Sequence, residues 1–280
     1  MAEPRRAFVC GHPIAHSRSP LIHGHWLRAL GIREGHYDPV DIAPAEFVGF
    51  LSSLGAQGFV GGNVTIPHKE AAWRLVERRD DEAEAIGAVN TVWLEDGLLC
   101  GSNTDAYGFA ANLDQAAPAW REVETAIVLG AGGASRAIIH ALATAGTREI
   151  LLVNRTVERA RELQRQFGST VSVHSWDSVA SLLSGAGLLV NCSAAGMENE
   201  ASIALDLSAM PRDAIVTDIV YTPLETALLR EARRCGLVAV DGLGMLLHQA
   251  VPGFERWFGR RPEVTEALRA EIVADLEQAR

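Results

Sequence analysis

The residues most able to do chemistry begin with a glycine-rich run, Gly130-Ala131-Gly132-Gly133-Ala134-Ser135-Arg136, and a tripeptide further on, Asn154-Arg155-Thr156. The run suits a phosphate. Gly130 permits a tight turn, Gly132 presents bare backbone to a pyrophosphate, and the N–H groups of the helical turn that follows carry partial positive charge toward it. Ser135 stands where the third glycine of a G-x-G-x-x-G pattern is usual. The tripeptide stands where a dinucleotide fold selects its cofactor. An NAD site wants a carboxylate there for the ribose 2′-hydroxyl. This chain instead has Arg155, with Arg159 one turn on. A guanidinium can bind a phosphate through a planar, charge-assisted fork, so the pattern points to the 2′-phosphate of NADP. As plain helix-start residues, Arg155 and Arg159 would be on the wrong side of the helix dipole.

A nicotinamide cofactor implies hydride transfer, and reducing a carbonyl requires a proton donor to the developing alkoxide. Lys69 and Asp105 form the natural pair, since a neighbouring carboxylate can tune and hold a lysine. Around them lie further polar groups: Ser17 and Ser19 at a helix entrance, Asn63 and Thr65 after an apolar strand, Asn90-Thr91 within another, and Asn103-Thr104 before Asp105. Taken singly, Ser17, Ser19, Asn63 and Thr104 read as caps and turn residues. Their concentration suits a small polyhydroxylated substrate.

These groups need elements to position them. Residues 125–129 read as a buried strand, 135–145 as a helix ended by Gly146, and 149–153 as a second strand, the strand–turn–helix–strand context such a glycine run requires. Further strands are expected at 171–175, 188–191, 215–219 and 238–240. Ahead of this unit, strands at 7–10, 37–42 and 59–66 alternate with helices at 19–30, 45–54 and 69–76. Ser19 is expected to cap its helix, with Pro20 at the first helical position. A hairpin is expected around Asp96-Gly97, a bridging helix from 106 to about 120, and a terminal amphipathic helix over 262–278 packed on the first domain. Pro252 should kink or break a helix over 244–258.

The expected fold is therefore α/β. An N-terminal substrate domain (1–105, completed by helices over 244–280) and a Rossmann-type NADP-binding domain (106–243) would flank a crevice. The 280 residues, 48% hydrophobic and 21% charged, fit a globular protein, and a formal net charge of −10 argues against nucleic-acid or anionic-membrane partners. Cys10, Cys100, Cys192 and Cys235 are isolated, as expected of buried thiols in a reduced cytoplasmic protein. The N-terminus leads into a strand rather than a signal-type core. No metal is expected, since no Cys/His cluster or H-E-x-x-H pattern is present.

The chain resembles the shikimate dehydrogenase family over essentially its whole length. The motifs are HPIAHSRSP (12–20), NVTIPHK (63–69), GAVNT (87–91), NTD (103–105), GAGGASRA (130–137), NRT (154–156), VYTP (220–223) and DGLGMLLHQA (241–250). The resemblance implies NADP-dependent interconversion of 3-dehydroshikimate and shikimate in aromatic amino-acid biosynthesis. Lys69 would be the acid/base, with Asp105 its partner on the substrate hydroxyl. Ser17 and Ser19 would hold the substrate carboxylate, helped by Tyr221, and Thr65, Asn90 and Gln249 would bind the rest. Gly130, Ala131, Gly132, Gly133 and Ala134 match the pyrophosphate turn, and Asn154, Arg155, Thr156 and Arg159 the 2′-phosphate site. Ile219 and Gly242 match positions beside the nicotinamide, and Asp81 a weaker cofactor contact. The chain departs from the family pattern at Ala106 (usually glycine), within Asn191-Cys192-Ser193-Ala194-Ala195-Gly196-Met197, and at Thr226-Ala227 (usually Thr-Pro).

Two alternatives stay open. One is a quinate/shikimate paralogue using NAD, although Ser19 and Arg155-Thr156 favour shikimate and NADP. The other is a non-catalytic nucleotide sensor, which would have no need of Lys69 and Asp105. A monomer or homodimer is expected.

Overall fold

The computed structural model describes residues 5–197 and 201–278. The chain divides into two compact units, Met1–Asp105 with Leu247–Arg280, and Ala106–Leu246.

The first unit holds β1 (Arg5–Gly11), β2 (Gly35–Asp41), β3 (Phe59–Val64), β4 (Arg78–Arg79), β5 (Thr91–Glu95) and β6 (Leu98–Ser102), in the order β2-β1-β3-β5-β6-β4. β1 pairs parallel with β2 and β3, whereas β5 runs antiparallel to β3 and β6. Asp96 (φ 53°) and Gly97 (φ 79°) turn the β5–β6 hairpin with both residues left-handed, the backbone that an Asp-Gly pair favours. Phe8, Phe47, Phe50, Leu51, Leu54 and Phe59 fill the core on one face.

Three local expectations changed. Ser19 does not cap its helix. It is the first residue of helix Ser19–Ala29, the N-cap position is Arg18, and the Ser19 N–H is met at 3.3 Å by the hydroxyl of Ser17. Helix Leu243–Phe258 runs unbroken through Pro252. Buried Ala250, Val251, Phe254 and Trp257 flank the proline, and their burial outweighs one missing backbone hydrogen bond. The terminal helix begins at Glu266, after an irregular segment that includes Pro262. It packs on helix Ser19–Ala29 through Arg18–Asp275 (2.5 Å) and His25–Glu271 (2.6 Å). Helix Asp81–Ile86, capped by Asp80 accepting from Ala83 N–H, was not anticipated.

The second unit holds β7 (Thr125–Leu129), β8 (Glu149–Val153), β9 (Val171–His174), β10 (Leu188–Asn191), β11 (Ile215–Asp218) and β12 (Val238–Val240). All pair parallel, in the order β12-β11-β10-β7-β8-β9. This is the doubly wound dinucleotide arrangement, with its switch point between β7 and β10, where ligands bind beyond the carboxyl ends of the strands. The strands are apolar because both faces are covered, with Ile127, Leu129, Leu189 and Val216 fully buried. The expected helix over 106–120 is Asp105–Ala116 followed by a short 3₁₀ turn, Pro118–Glu122, at whose start Pro118 interrupts the α-helix. Cys10, Cys100 and Cys192 are buried thiols, but Cys235 is only partly so.

Candidate active site

In the first unit the polar residues gather where strands end. Lys69 opens helix Lys69–Leu75 and Asp105 opens helix Asp105–Ala116. The Lys69 Nζ lies 2.5 Å from Asp105 Oδ2, with side-chain exposures of 29% and 13%. The pair is thus reachable from solvent yet largely enclosed. Asp105 is held on three sides. Asn90 Nδ2 donates to its Oδ1 (2.8 Å), its own N–H donates to Asn103 Oδ1 (3.0 Å), and Lys69 takes the second carboxylate oxygen. Asn103 is itself fixed by donation to Ala88 O (3.0 Å).

Asn90 precedes β5 and is 2% exposed. Its Oδ1 accepts from the Thr91 hydroxyl (2.9 Å) and from Thr104 N–H (2.9 Å), so its amide nitrogen must face Asp105. The Thr104 hydroxyl also donates to Gln249 O (2.8 Å), which brings Gln249 beside this cluster. Ser17 and Ser19 lie in the segment after β1, Ser17 half-buried and Ser19 buried. Half-buried Thr65 lies just past β3, its N–H on Cys10 O (2.9 Å), and the neighbouring His12 N–H donates to Ile66 O (3.1 Å), tying the two segments together.

In the second unit, Gly130 follows β7 at φ +103°, and a Cβ there would stand 3.0 Å from Ser193 N. Gly132 caps helix Gly133–Ala145, and Cβ atoms built on Gly132 and Gly133 meet nothing within 4 Å. The turn is closed from within: the Ser135 hydroxyl donates to Gly130 O (2.7 Å) and accepts from Gly132 N–H (3.2 Å). Asn154 Oδ1 accepts from Ala131 N–H (3.2 Å) and its Nδ2 donates to Thr156 O (2.8 Å), joining the turn to the end of β8. Arg155, Thr156 and Arg159 are exposed around the start of helix Val157–Phe167. Among the described residues neither arginine is paired with a carboxylate, whereas nearby Arg161 pairs with Glu158 and Arg136 contacts Gln166.

Ile219 and Gly242 come together, since a Cβ on Gly242 would stand 2.4 Å from Ile219 O. Half-buried Tyr221 follows in the same loop after β11. Asp218, at the end of β11, accepts from Asn191 Nδ2 (2.8 Å), Val220 N–H (3.0 Å) and the Thr226 hydroxyl (2.8 Å), while burial pushes its carboxyl above the usual range. Asp81 is exposed at the start of its short helix, and no contact among the described residues joins it to another candidate. Asp206, Glu231 and Cys235 place three metal-type ligand atoms together, but Arg234 already pairs with Glu231 at 2.7 Å.

The sequence reading took Asn63 singly as a turn residue, named Asn103 without giving it a role, and passed over Tyr37 and Asp218. All four are buried, Tyr37 within β2 and the others at or beside strand ends. An asparagine in an apolar strand was the available signal, since such groups must be satisfied.

The chain matches three family models in succession: "Shikimate dehydrogenase substrate binding domain" over residues 9–92, "Shikimate / quinate 5-dehydrogenase" over 115–219, and "Shikimate 5'-dehydrogenase C-terminal domain" over 242–271. A shikimate dehydrogenase (NADP(+)) of Brucella abortus is 59% identical, covering 100% of this chain and 97% of its own length. The chain belongs to the shikimate dehydrogenase family. Within the family, shikimate 5-dehydrogenase from Thermus thermophilus, solved in complex with NADP(H) and shikimate, is 36% identical with a TM-score of 0.84, covering 99% of this chain and 100% of that one. Quinate dehydrogenase from Corynebacterium glutamicum, solved in complex with NAD, is 29% identical with a TM-score of 0.90 over 98% and 100%. Backbone likeness therefore does not divide shikimate from quinate members. Among the described residues, no helix is long and apolar enough to cross a membrane.

Proposed function

We propose that this protein is an NADP-dependent shikimate dehydrogenase that reversibly reduces 3-dehydroshikimate, with Lys69 and Asp105 as its acid/base pair. The observation that carries the chemistry is the 2.5 Å contact of Lys69 Nζ with Asp105 Oδ2, in a partly enclosed cluster of amides and hydroxyls. NADPH supplies the hydride when bound. Lys69 Nζ gives a proton to the carbonyl oxygen as it becomes an alkoxide and takes it back in the reverse direction. Asp105, aimed by Asn90 and Asn103, holds that ammonium and accepts from the adjacent substrate hydroxyl. Ser17 and Ser19 donate to the substrate carboxylate with Tyr221. Thr65, Asn90 and Gln249 orient the ring hydroxyls, so that the reacting carbon is presented in one pose.

The residues of the second unit fit the cofactor. Bare backbone at Gly132 and Gly133 leaves room for a pyrophosphate at a helix N-terminus. β8 is followed by Asn154-Arg155-Thr156 without a carboxylate, which suits a 2′-phosphate held by Arg155 and Arg159. Ile219 and Gly242 would flank the nicotinamide, with Asp81 as a further cofactor contact. Apart from Tyr221 and Asp81, the first unit supplies the substrate groups and the second the NADP groups. A monomer or homodimer working in the cytoplasm is consistent with this chemistry.

Quinate with NAD is the second reading, favoured by the likeness to the quinate enzyme. Steady-state kcat/KM for shikimate and quinate, each with NADP and NAD, tests both. Shikimate with NADP should be highest, and a larger value for quinate with NAD would overturn the assignment.

A further inference from the structure

Ser17 and Ser19, the groups assigned to the substrate carboxylate, flank Arg18, which occupies the N-cap position of helix Ser19–Ala29. A cation is disfavoured at that end of a helix, and no acidic residue in the first turn offsets it. The offset comes from the far end of the chain. Asp275, on the terminal helix Glu266–Gln278, brings Oδ2 to 2.5 Å from Arg18 Nε. Both atoms are shut off from solvent, and among the described residues neither has another polar partner. Arg18 Nη1 donates to His16 O at 3.3 Å. The side chain thus runs from the backbone ahead of Ser17 to a carboxylate on another helix.

The same residue carries the start of helix Ser19–Ala29. Arg18 O accepts from the N–H groups of Leu21 and Ile22, both at 3.1 Å, and Ser17 N–H donates to Ile14 O at 2.9 Å. The Ser17 hydroxyl accepts from Ser19 N–H at 3.3 Å, which leaves its proton to donate. The two hydroxyls keep their spacing as long as the Arg18 backbone between them stays fixed. We propose that Asp275 is a positioning residue for the substrate carboxylate. Through Arg18 it straps the Ser17–Ser19 turn to the terminal helix and keeps both hydroxyls aimed. The inference rests on Ser17 and Ser19 binding that carboxylate.

The strap is distinct from the general docking of the two helices. Trp26 Nε1 on Glu263 O (2.9 Å), and His25 and Arg28 on Glu271 (2.6 and 2.8 Å), hold helix Ser19–Ala29 further along. Among the described residues, Arg18–Asp275 is the ion pair that reaches the turn itself. It is also the more enclosed. The Arg18 side chain is 18% exposed and that of Arg28 64%, so water and salt screen the Arg18 pair less.

Charge alone makes the opposite forecast for Asp275. One carboxylate repels another, so removing only Asp275 would lower KM for shikimate, removing only Arg18 would raise it, and removing both would cancel. The strap requires all three to rise. Arg18→Ala, Asp275→Ala and the double variant should each raise KM for shikimate about tenfold, the scale of one hydrogen bond to a charged group. Turnover at saturating shikimate and KM for NADP should stay within about twofold of the parent. The double variant should lose no more than either single one, because both cut one link. It leaves no unpaired buried charge, so it carries the test should a single variant not fold. Glu271→Ala, which cuts the other ion pairs between the helices, should leave KM for shikimate within about twofold of the parent. A lowered KM in Asp275→Ala, a parental KM in the double variant, a matching fall in kcat, or an equal rise in Glu271→Ala would overturn the strap. Ser17→Ala with Ser19→Ala in the same series separates the two readings. A parental KM for shikimate there removes the carboxylate assignment, whereas a raised KM there with parental values in Asp275→Ala and the double variant removes only the strap.

Discussion

Two neighbouring glycines of the phosphate turn should respond in opposite ways to one methyl group. Gly130 has φ +103°, and a Cβ would stand 3.0 Å from Ser193 N, against backbone that cannot swing aside. Gly130→Ala should therefore cost about 1–3 kcal/mol of folding stability. Gly132 has φ −92° and ψ −173°, which any residue adopts, and its added Cβ meets nothing within 4 Å. Alanine is a poorer N-cap than glycine by up to about 1 kcal/mol, while the stiffer unfolded chain returns about 0.4–1 kcal/mol. The net change at Gly132 should be within about 0.5 kcal/mol. The free fold thus has little use for a glycine at 132, and a closely approaching ligand does. Gly132→Ala should weaken NADP binding by at least about tenfold, or 1.4 kcal/mol. Urea unfolding of both variants gives the stabilities, and titration of NADPH fluorescence gives the affinities. Parental NADP affinity in Gly132→Ala, or a stability loss there matching that of Gly130→Ala, would refute the reasoning.

Lys69→Ala should cut turnover about 10²–10⁴-fold while leaving NADP affinity unchanged, measured by steady-state rates beside fluorescence titration. Arg155→Ala should raise KM for NADP far more than KM for NAD, because only NADP carries the 2′-phosphate, and equal effects would remove Arg155 from that role. Burial holds the imidazole of His23 down from 6.5 to about 3. The unfolded chain takes up a proton near 6.5 and the native ring does not until about 3, so stability falls as pH drops through that window. By pH 5 the loss from this group should reach about 2 kcal/mol relative to pH 7. Urea unfolding across pH checks it, and His23→Phe, which does not titrate, should flatten the slope by that amount.

Elements set by neighbours along the chain were legible in the sequence. β7, the glycine turn, helix Gly133–Ala145 and β8 follow one another within 29 residues, and each obeys a local rule: apolar strand, turn glycine, helical spacing, Gly146 at the helix end. The Asp96-Gly97 hairpin is of the same kind. Pro252 did not break its helix, because burial on both sides of it outweighs the missing hydrogen bond. The Tyr37–Asn63 and Asn63–Thr91 hydrogen bonds were not legible. They join residues 26 and 28 positions apart and exist only because β2, β1, β3 and β5 lie side by side in that order. No spacing rule connects a tyrosine on one strand to an asparagine two strands away. Lys69 and Asp105 could be paired from chemistry, but what aims them could not.

The departures from the family pattern gain a physical reading in the second unit. A third glycine in a dinucleotide turn allows close helix–strand packing. Ser135 occupies that place fully buried, and its hydroxyl bridges Gly130 O and Gly132 N–H, so a side chain stiffens the turn while staying below it. Ser193 bonds back to Asn191 Oδ1 through both N–H (3.0 Å) and hydroxyl (2.7 Å), which preserves a turn after β10 that a threonine there could also make. Thr226 caps helix Ala227–Arg234 by accepting from Leu229 N–H while donating to Asp218, so the helix start is fixed without a proline at the next position. Each departure keeps the backbone hydrogen bonding that shapes a loop at the carboxyl end of the sheet. Asn154 extends this to the cofactor reading. One amide joins Ala131 N–H in the glycine turn to Thr156 O beyond Arg155, beside the β7–β8 pairing and the Gly130 N–H donation to Val153 O, so the glycine turn and the segment after β8 are held together in the free fold. On the proposed reading these segments hold the pyrophosphate and the 2′-phosphate, and fixing their spacing beforehand lowers the ordering cost of binding NADP.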